Sequence, residues 1–447
     1  MASLSRWTMS YFAAALAFLL AAEALAVAGV GYPATGLGDP ATLVLVHVVT
    51  IGWLSLSMGG ALLQFVPVLV SQPLAFPQLA LPALIALIIG LLLLCGGFAI
   101  LAGWVDGPLG LLPSAGASLL TGFALLGLML ASTVLSARPV TLFASFVLAG
   151  LACLAATALS GSAFVAILSG QGGWLLNFFA VLPDGVPFHA LLGLGGWLGM
   201  IAFGVSYRLF VMFMMAPELP ARRVRPVLLS AGFGLSIAFA GLVAPFAGLE
   251  PGTGWVAAAL LALAVGSAFY GRDMLALYRA RRRKALEINM LASIPAYASL
   301  GLGIVLLPIA VAAVADESVV AALAFLLAFG WLGGLTLAQL VKIVSFMTWL
   351  ETYAPRLGRG PAPRVGDLIA MPRTGWWFAL YFGGVALGTI ALCAGTASGF
   401  RWAVLACFLG TAGIAAELVR VRRLSEIKAN ARPPANERPW LLIARIG

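Results

Sequence analysis

Apolar runs long enough to cross a membrane recur along the whole chain, and this feature limits the fold more than any other. An α-helix needs about 20 apolar residues to cross the hydrocarbon core of a bilayer. Because 62% of the residues are hydrophobic and only 9% are charged, a soluble domain is excluded and an all-α membrane protein is predicted. We predict twelve membrane-spanning helices, at 7–31, 40–69, 76–102, 110–136, 140–163, 187–215, 226–248, 254–278, 291–315, 320–350, 375–395 and 402–420.

A shorter apolar piece near 174–182 is predicted to be a surface or re-entrant segment. None of the runs shows the two-residue alternation of an outer-membrane barrel strand. The four cysteines, Cys95, Cys153, Cys393 and Cys407, lie inside predicted spans. Their spacing suggests neither a metal site nor a disulfide framework, so we interpret them as small packing residues.

Basic residues are concentrated in every second connection between the predicted spans. If the N-terminus is cytoplasmic, the inner connections carry Arg138, Arg222, Arg223, Arg225, Arg279, Arg281, Arg282, Arg283, Lys284, Arg356, Arg359, Arg364 and Arg373. The outer connections carry Asp39, Asp106, Asp184, Glu250, Asp316 and Glu317, and Arg401 is their one basic residue. This positive-inside pattern predicts cytoplasmic termini and a bacterial inner (cytoplasmic) membrane. The net charge of +10 is then explained by topology and anionic lipid, and nucleic acid is not expected as a partner.

The tripeptide Gly-Trp-Leu occurs in predicted spans 2, 6 and 10, beginning at Gly52, Gly196 and Gly330. The residue seven positions after each Trp is small, namely Gly60, Gly204 and Ala338. The residue eleven positions after it is long and polar, namely Gln64, Arg208 and Lys342, and is expected to reach the cytoplasmic interface. Each motif lies in the second helix of a set of four, which predicts an internal repeat.

The repeat divides the chain into three pseudo-symmetric four-helix arcs, at 1–138, 139–289 and 290–423, followed by a basic cytoplasmic tail at 424–447. Because each arc contains an even number of spans, every arc enters the membrane in the same direction. The arcs are therefore expected to be related by an axis along the membrane normal, unlike the inverted repeats of many transporters.

Three sets of four helices, with a histidine in the outer part of helix 2, resemble subunit I of the haem–copper oxidase superfamily and its non-enzymatic, NnrS-like relatives. The resemblance covers nearly the whole chain as architecture, and spans 2, 6 and 10 as motif. It implies that His47 corresponds to the haem ligand of helix 2 and that His189 corresponds to the copper ligand of helix 6. Helices 7 and 10 should carry the other four ligands, but here they contain no histidine. Oxygen reduction at a haem–copper centre is therefore not expected.

His47 and His189 are the only histidines of the chain. His47 is a candidate ligand for haem b or for copper, and the alternatives are a structural hydrogen-bonded pair or a proton relay. Aligned on the Trp of the motif, His189 lies two residues earlier than His47, about 200° around an ideal helix. We therefore interpret His189 as an interfacial hydrogen-bonding residue, although it is also a candidate metal ligand.

Glu23 is the other polar residue deep inside a predicted span. It lies about 12 Å from the outer end of span 1, and His47 lies about 10 Å from the outer end of span 2. Because helices joined by a short turn are usually neighbours, we expect a hydrogen bond between Glu23 and His47.

Three functions remain open on the sequence alone. The first is an oxidase-like protein that holds a single haem or copper, or that serves haem, copper or nitric-oxide physiology as an accessory protein. The second is a transporter or channel for a small neutral solute, since few charges lie inside the predicted spans. The third is a structural subunit of a membrane complex, with lipids and other subunits as partners.

Overall fold

The computed structural model describes residues 5–171, 173, 182–312, 316–358 and 362–444. Within these residues it contains twelve helices long and apolar enough to cross a membrane, so the protein is an all-α, multi-pass integral membrane protein. We number them α1 (Thr8–Ala28), α2 (Pro40–Val70), α3 (Pro77–Leu101), α4 (Leu111–Ser136), α5 (Leu142–Leu168), α6 (Asp184–Met214), α7 (Ala221–Ala247), α8 (Thr253–Arg279), α9 (Ile288–Pro308), α10 (Glu317–Arg356), α11 (Met371–Cys393) and α12 (Ala397–Arg422).

All twelve predicted spans are confirmed, and they differ from the helices by a few residues at the ends. The apolar piece predicted near 174–182 lies, except for its last residue, outside the described residues. Large apolar side chains such as Leu229 and Ile390 are exposed on the sides of the bundle, where the spans contact lipid.

Several of these helices begin at a residue whose short polar side chain caps the first backbone N–H groups. The side chain of Asp39 accepts a hydrogen bond from Ala41 N (2.9 Å), and Pro40 occupies the first position of α2. Asp316 caps α10 in the same way through Ser318 N (2.7 Å). Such caps satisfy amide groups that have no partner inside the helix, which sets where each apolar run becomes helical.

Helices that follow one another in sequence pack side by side, and the order closes into a ring. The most extensive pairs are α3 with α4, α7 with α8, and α11 with α12. Further contacts join α4 to α5, α8 to α9, and α12 back to α1. The first and last spanning helices are therefore neighbours, although nearly the whole chain lies between them in the sequence.

The centre of the bundle is formed by α2, α6 and α10, which are the most deeply buried helices. In each of them 61% of the apolar window is buried, more than in any other spanning helix described. Each also contains one stretch of π-helix, at Val48–Ser55, Leu191–Gly199 and Leu326–Gly333. These three stretches contact one another, and all three contain the Gly-Trp-Leu tripeptide. Wider π-helical turns are rare and often occur at functional sites.

The three tryptophans of the motif make a closed cycle of contacts between the central helices. Trp197 Nε1 of α6 donates a hydrogen bond to Ser55 Oγ of α2 (3.0 Å). Trp53 Nε1 of α2 lies 3.4 Å from the point where a β-carbon would stand on Gly333 of α10. A ring atom of Trp331 of α10 lies 3.7 Å from the corresponding point on Gly199 of α6. Each indole therefore reaches the residue two positions after the tryptophan of another central helix.

Only one of the three indoles finds a hydrogen-bond acceptor in this cycle. Ser55 donates its proton to Thr50 O (2.7 Å) and accepts from Trp197. At the matching positions of the other contacts the chain has Gly199 and Gly333, which carry no hydroxyl. Among the described residues, Trp53 Nε1 and Trp331 Nε1 have no hydrogen-bond partner.

Replacing Ser55 with alanine is expected to lower the free energy of unfolding by about 1–3 kcal/mol, because Trp197 Nε1 would lose its acceptor in a buried site. The matched control is Ser57→Ala on the same helix. Ser57 is equally buried, and its hydroxyl has no partner among the described residues, so its removal should be neutral or stabilising. Denaturation of both variants in detergent measures the difference, and an equal effect would contradict the expectation.

Both ends of the described chain meet at one end of the bundle, which we call the terminal end; the opposite end is the distal end. Ala444 N donates a hydrogen bond to Arg6 O (2.9 Å), and the Ser10 hydroxyl donates to Leu442 O (2.6 Å). The residues after α12 therefore pack against the beginning of α1. The cytoplasmic location of the terminal end stays a prediction.

Candidate functional site

His47 lies in the distal half of α2, directly before its π-helical stretch. Its Nδ1 is 2.7 Å from Leu43 O, one turn earlier in the same helix. Because a carbonyl oxygen can only accept, Nδ1 carries the proton and donates it to Leu43. The ring packs at 5.3 Å (centroid to centroid) from Phe98 of α3. The imidazole is therefore held in one orientation by its own helix and by a neighbouring aromatic ring.

His189 lies in the distal part of α6, two residues before the π-helical stretch. Its Nδ1 is 2.9 Å from Ser160 Oγ of α5, and Ser160 donates its one proton to Thr157 O (3.1 Å). The Ser160 hydroxyl therefore lies between the His189 ring and the backbone of α5, and it orients the ring. Gly161 leaves room for the ring, because a β-carbon there would stand 3.0 Å from His189 Cε1.

The two histidines lie on neighbouring central helices, whose π-helical stretches contact one another. The Nδ1 atom of each ring has a described partner, which is Leu43 O for His47 and Ser160 Oγ for His189. The His189 ring is also within hydrogen-bonding reach of the Thr157 backbone. A positive charge on the His47 ring would act on His189, so the rings are within electrostatic reach of each other.

The donor set around these rings is small. Among the described residues, no group of three or more His, Cys, Asp or Glu side chains could hold a metal ion. The other ring neighbours are apolar, with Phe98 beside His47 and Phe164 at 5.6 Å from His189. Among the described residues, the two imidazoles and these aromatic rings are therefore the side chains recorded at this place.

Glu23 does not bond to His47, so that prediction is wrong. The Thr411 hydroxyl of α12 donates to Glu23 Oε1 (2.9 Å), while His47 bonds to Leu43. Helices α1 and α2 are neighbours, as expected, but Glu23 lies on the side of α1 that packs against α12. The sequence carried no sign of this contact, because it joins residues at opposite ends of the chain.

The three polar residues placed eleven positions after the motif tryptophan lie near the terminal end, and each binds a partner there. Gln64 Nε2 donates to Ser5 O (2.8 Å) and to Thr8 Oγ1 (2.6 Å). Lys342 forms an ion pair with Glu287 and is only 12% exposed. Arg208, which is 43% exposed, forms an ion pair with Glu218. Gln64 and Lys342 are therefore mostly buried and bonded to protein partners, and they do not extend into water.

A second polar cluster lies between α6, α7 and α8. Asp273 is fully buried and accepts from the Tyr207 hydroxyl (3.0 Å). Its charge is compensated by Arg272 (3.0 Å) and by Arg223 (3.2 Å). Arg272 is the neighbouring residue in sequence, whereas Arg223 lies 50 residues earlier on α7, a contact that the sequence alone does not suggest.

Two cavities lie close to the terminal end, away from both histidines. One of about 30 Å³ is lined by Glu287, Asn289 and Lys342, among others. The other is an open groove of about 510 Å³ between the ends of α2 and α4, beside Arg138. All four cysteines are free, and Cys153 packs beneath Gly196, in agreement with a packing role.

A comparison with models of known protein families found no match, and a comparison with curated proteins found none either. The function must therefore be argued from the histidines, the buried acids and the architecture of this chain.

Proposed function

We propose that the protein is an oxidase-like membrane protein that binds a single copper ion between His47 and His189 and serves copper physiology as an accessory protein. The observation that carries this proposal is that two imidazoles, each oriented through its Nδ1 atom, lie on contacting central helices within electrostatic reach of each other. Copper bound there would supply a one-electron redox centre in the distal half of the membrane.

The architecture supports the oxidase-like part of the proposal. In each of the three predicted four-helix arcs, the third and fourth helices form the pair with the most extensive contact. Each arc also contacts the next one, and the last arc contacts the first. The second helices carry the π-helical stretches, and their tryptophans contact one another in a cycle. A pseudo-threefold arrangement of four-helix units, as in the superfamily that the sequence resembles, accounts for all of these contacts.

The donor set favours copper over zinc and haem. Imidazole binds copper, zinc and iron well. Zinc usually takes three or four protein ligands, and the described residues offer two here. Haem would need a slot between the rings, and the positions around them are filled by Phe98, Phe164 and the close packing at Gly161. Oxygen reduction is not proposed, because the chain has no histidines for the remaining ligand positions.

The test is a copper titration of the purified full-length protein under reducing conditions, together with metal analysis and oxidised and reduced absorption spectra. We expect one tightly bound copper per chain in the unmodified protein, and loss of this binding in His47→Ala and in His189→Ala with folding intact. Undiminished copper binding in the double variant would overturn the proposal. Stoichiometric haem without copper would replace it with a haem protein.

Ser160 and Ser162 offer a matched pair of variants for the same titration. Ser160→Ala removes the hydroxyl that orients His189, and loss of such a partner typically weakens metal binding about 10–100-fold. Ser162 lies two residues after Ser160 on α5, and its described partners are Ala158 O (2.8 Å) and Gly116 O (3.2 Å). Ser162→Ala should therefore leave the copper affinity unchanged. Equal affinities of the two variants would remove His189 from the site.

A further inference from the structure

Several carboxylate side chains are buried in the described spanning helices, and one of them differs from the others in its partners. Glu351 pairs with Arg422 (2.9 Å). Asp273 pairs with Arg223 and Arg272, and Glu417 pairs with Arg373 (2.6 Å) and Arg420 (3.0 Å). Glu23 is as deeply buried, with 0% of its surface exposed. No described salt bridge includes it.

The immediate surroundings of Glu23 supply one hydrogen bond and no positive charge. Thr411 donates to Oε1 (2.9 Å), while Oε2 has no partner among the described residues. The titratable groups that face Glu23 are Tyr381 of α11 and Cys407 of α12. Both donate elsewhere, Tyr381 to Phe329 O (2.8 Å) and Cys407 to Tyr381 O (3.6 Å).

The charged and titratable groups of the adjoining helices are also directed away from Glu23. On α12, Arg401 donates to Val27 O at the distal end of α1 (2.7 Å). On α2, His47 donates to Leu43 O. The described contacts of α1, α2, α11 and α12 therefore contain no cation that would neutralise an ionised Glu23.

Physical chemistry then decides the charge state of this carboxyl group. Moving an ion from water into a protein interior costs several kcal/mol even after relaxation. One hydrogen bond to a charged group returns only about 1.5–3 kcal/mol. A buried carboxyl group without a counter-ion therefore takes up a proton and becomes neutral.

We propose that Glu23 is a proton-binding site inside the membrane, holding its proton at neutral pH. Oε1 is the carbonyl oxygen that accepts from Thr411, and Oε2 carries the proton. This site is independent of the histidine pair, since neither imidazole contacts it. Asp273 and Glu417 differ from Glu23 because arginine side chains lie beside both of them.

Infrared spectroscopy of the full-length protein in lipid nanodiscs tests the proposal directly. A protonated carboxyl group has a C=O stretching band well separated from that of a carboxylate. We expect such a band at neutral pH that shifts when glutamate is labelled with ¹³C at its side-chain carboxyl. This first measurement uses the unmodified protein, so it does not depend on the folding of any variant.

Two variants then assign the band to its residue. Glu23→Gln should remove it, whereas Glu417→Gln should leave it in place, because Glu417 is paired with Arg373 and Arg420. Thr411→Val should move the band to higher frequency, since the carbonyl oxygen loses its donor. Absence of the band at neutral pH, or its persistence in Glu23→Gln, would overturn the proposal.

Discussion

Replacing Arg422 with alanine should lower the free energy of unfolding by about 3–5 kcal/mol, the usual cost of breaking a buried ion pair. Arg422 is 3% exposed and donates to Glu351 Oε2 (2.9 Å) and Thr348 Oγ1 (3.1 Å) of α10. Its Nε also donates to Trp440 O (3.0 Å). One guanidinium thus joins the last spanning helix to a central helix and to the segment that follows it.

Arg420→Ala is the matched control, two residues away on the same helix. Arg420 is 45% exposed, and its partner Glu417 keeps Arg373 when Arg420 is removed. Its loss should therefore cost under about 1 kcal/mol, as for other surface pairs. Denaturation in mixed micelles measures both variants, and faster tryptic cleavage after the exposed Lys428 in Arg422→Ala would report release of the tail. Equal destabilisation by the two substitutions would contradict this account.

Replacing Gly384 with valine should destabilise the contact between α11 and α12 by about 3 kcal/mol, at the upper end for an overfilled core. A β-carbon on Gly384 would stand 2.6 Å from Ala403 O and 2.8 Å from Cys407 N. Both are backbone atoms of α12, so no rotation of a side chain can make room. Small residues that let two helix backbones approach closely are typical of membrane proteins.

Gly383 is the neighbouring residue in sequence and provides the control. It is exposed, and a β-carbon there would meet nothing within 4 Å. Gly383→Val should therefore change stability by less than about 0.5 kcal/mol. Because Thr411 also lies on α12, Gly384→Val should in addition shift the infrared band assigned to Glu23. A stable Gly384→Val protein with an unshifted band would contradict this expectation, because α11 and α12 would then move apart without a loss of stability.

Hydropathy predicts the twelve spans well, because a bilayer demands about 20 apolar residues from each crossing, whatever the helix packs against. The Gly-Trp-Leu motif likewise indicates which helices are related. What it does not indicate is that the backbone around Trp53, Trp197 and Trp331 widens into π-helix. That change depends on contacts with the other two central helices, which lie more than a hundred residues away.

The π-helical stretches also affect the angle that the sequence predicts between His47 and His189. Two residues correspond to about 200° only in an ideal α-helix. Both histidines lie just before a π-helical stretch, so their angles measured from Trp53 and Trp197 depart from that value. An angle calculated for an ideal helix therefore does not decide whether the two side chains face one site.

The position of Glu23 shows a second limit of prediction from the sequence. Adjacency of α1 and α2 follows from their short connection, but the direction of a side chain around α1 does not. The side chain turns toward α12 because the first and last helices are neighbours and Thr411 offers a hydroxyl there. Sequence separation hides this kind of contact, since nothing local to Glu23 distinguishes it.

The hydrogen bond between Ala444 and Arg6 gives the chain a nearly circular course. Joining residues 6 and 444 by a short flexible linker would require little change in the described part of the structure, because circular permutation succeeds where the joined positions lie close together at the surface. New termini could then be opened in the connection after α4 or after α8, where one interpreted arc meets the next. Each permuted protein would begin with a different arc, so the order in which the three arcs enter the membrane could be varied without altering a single spanning helix.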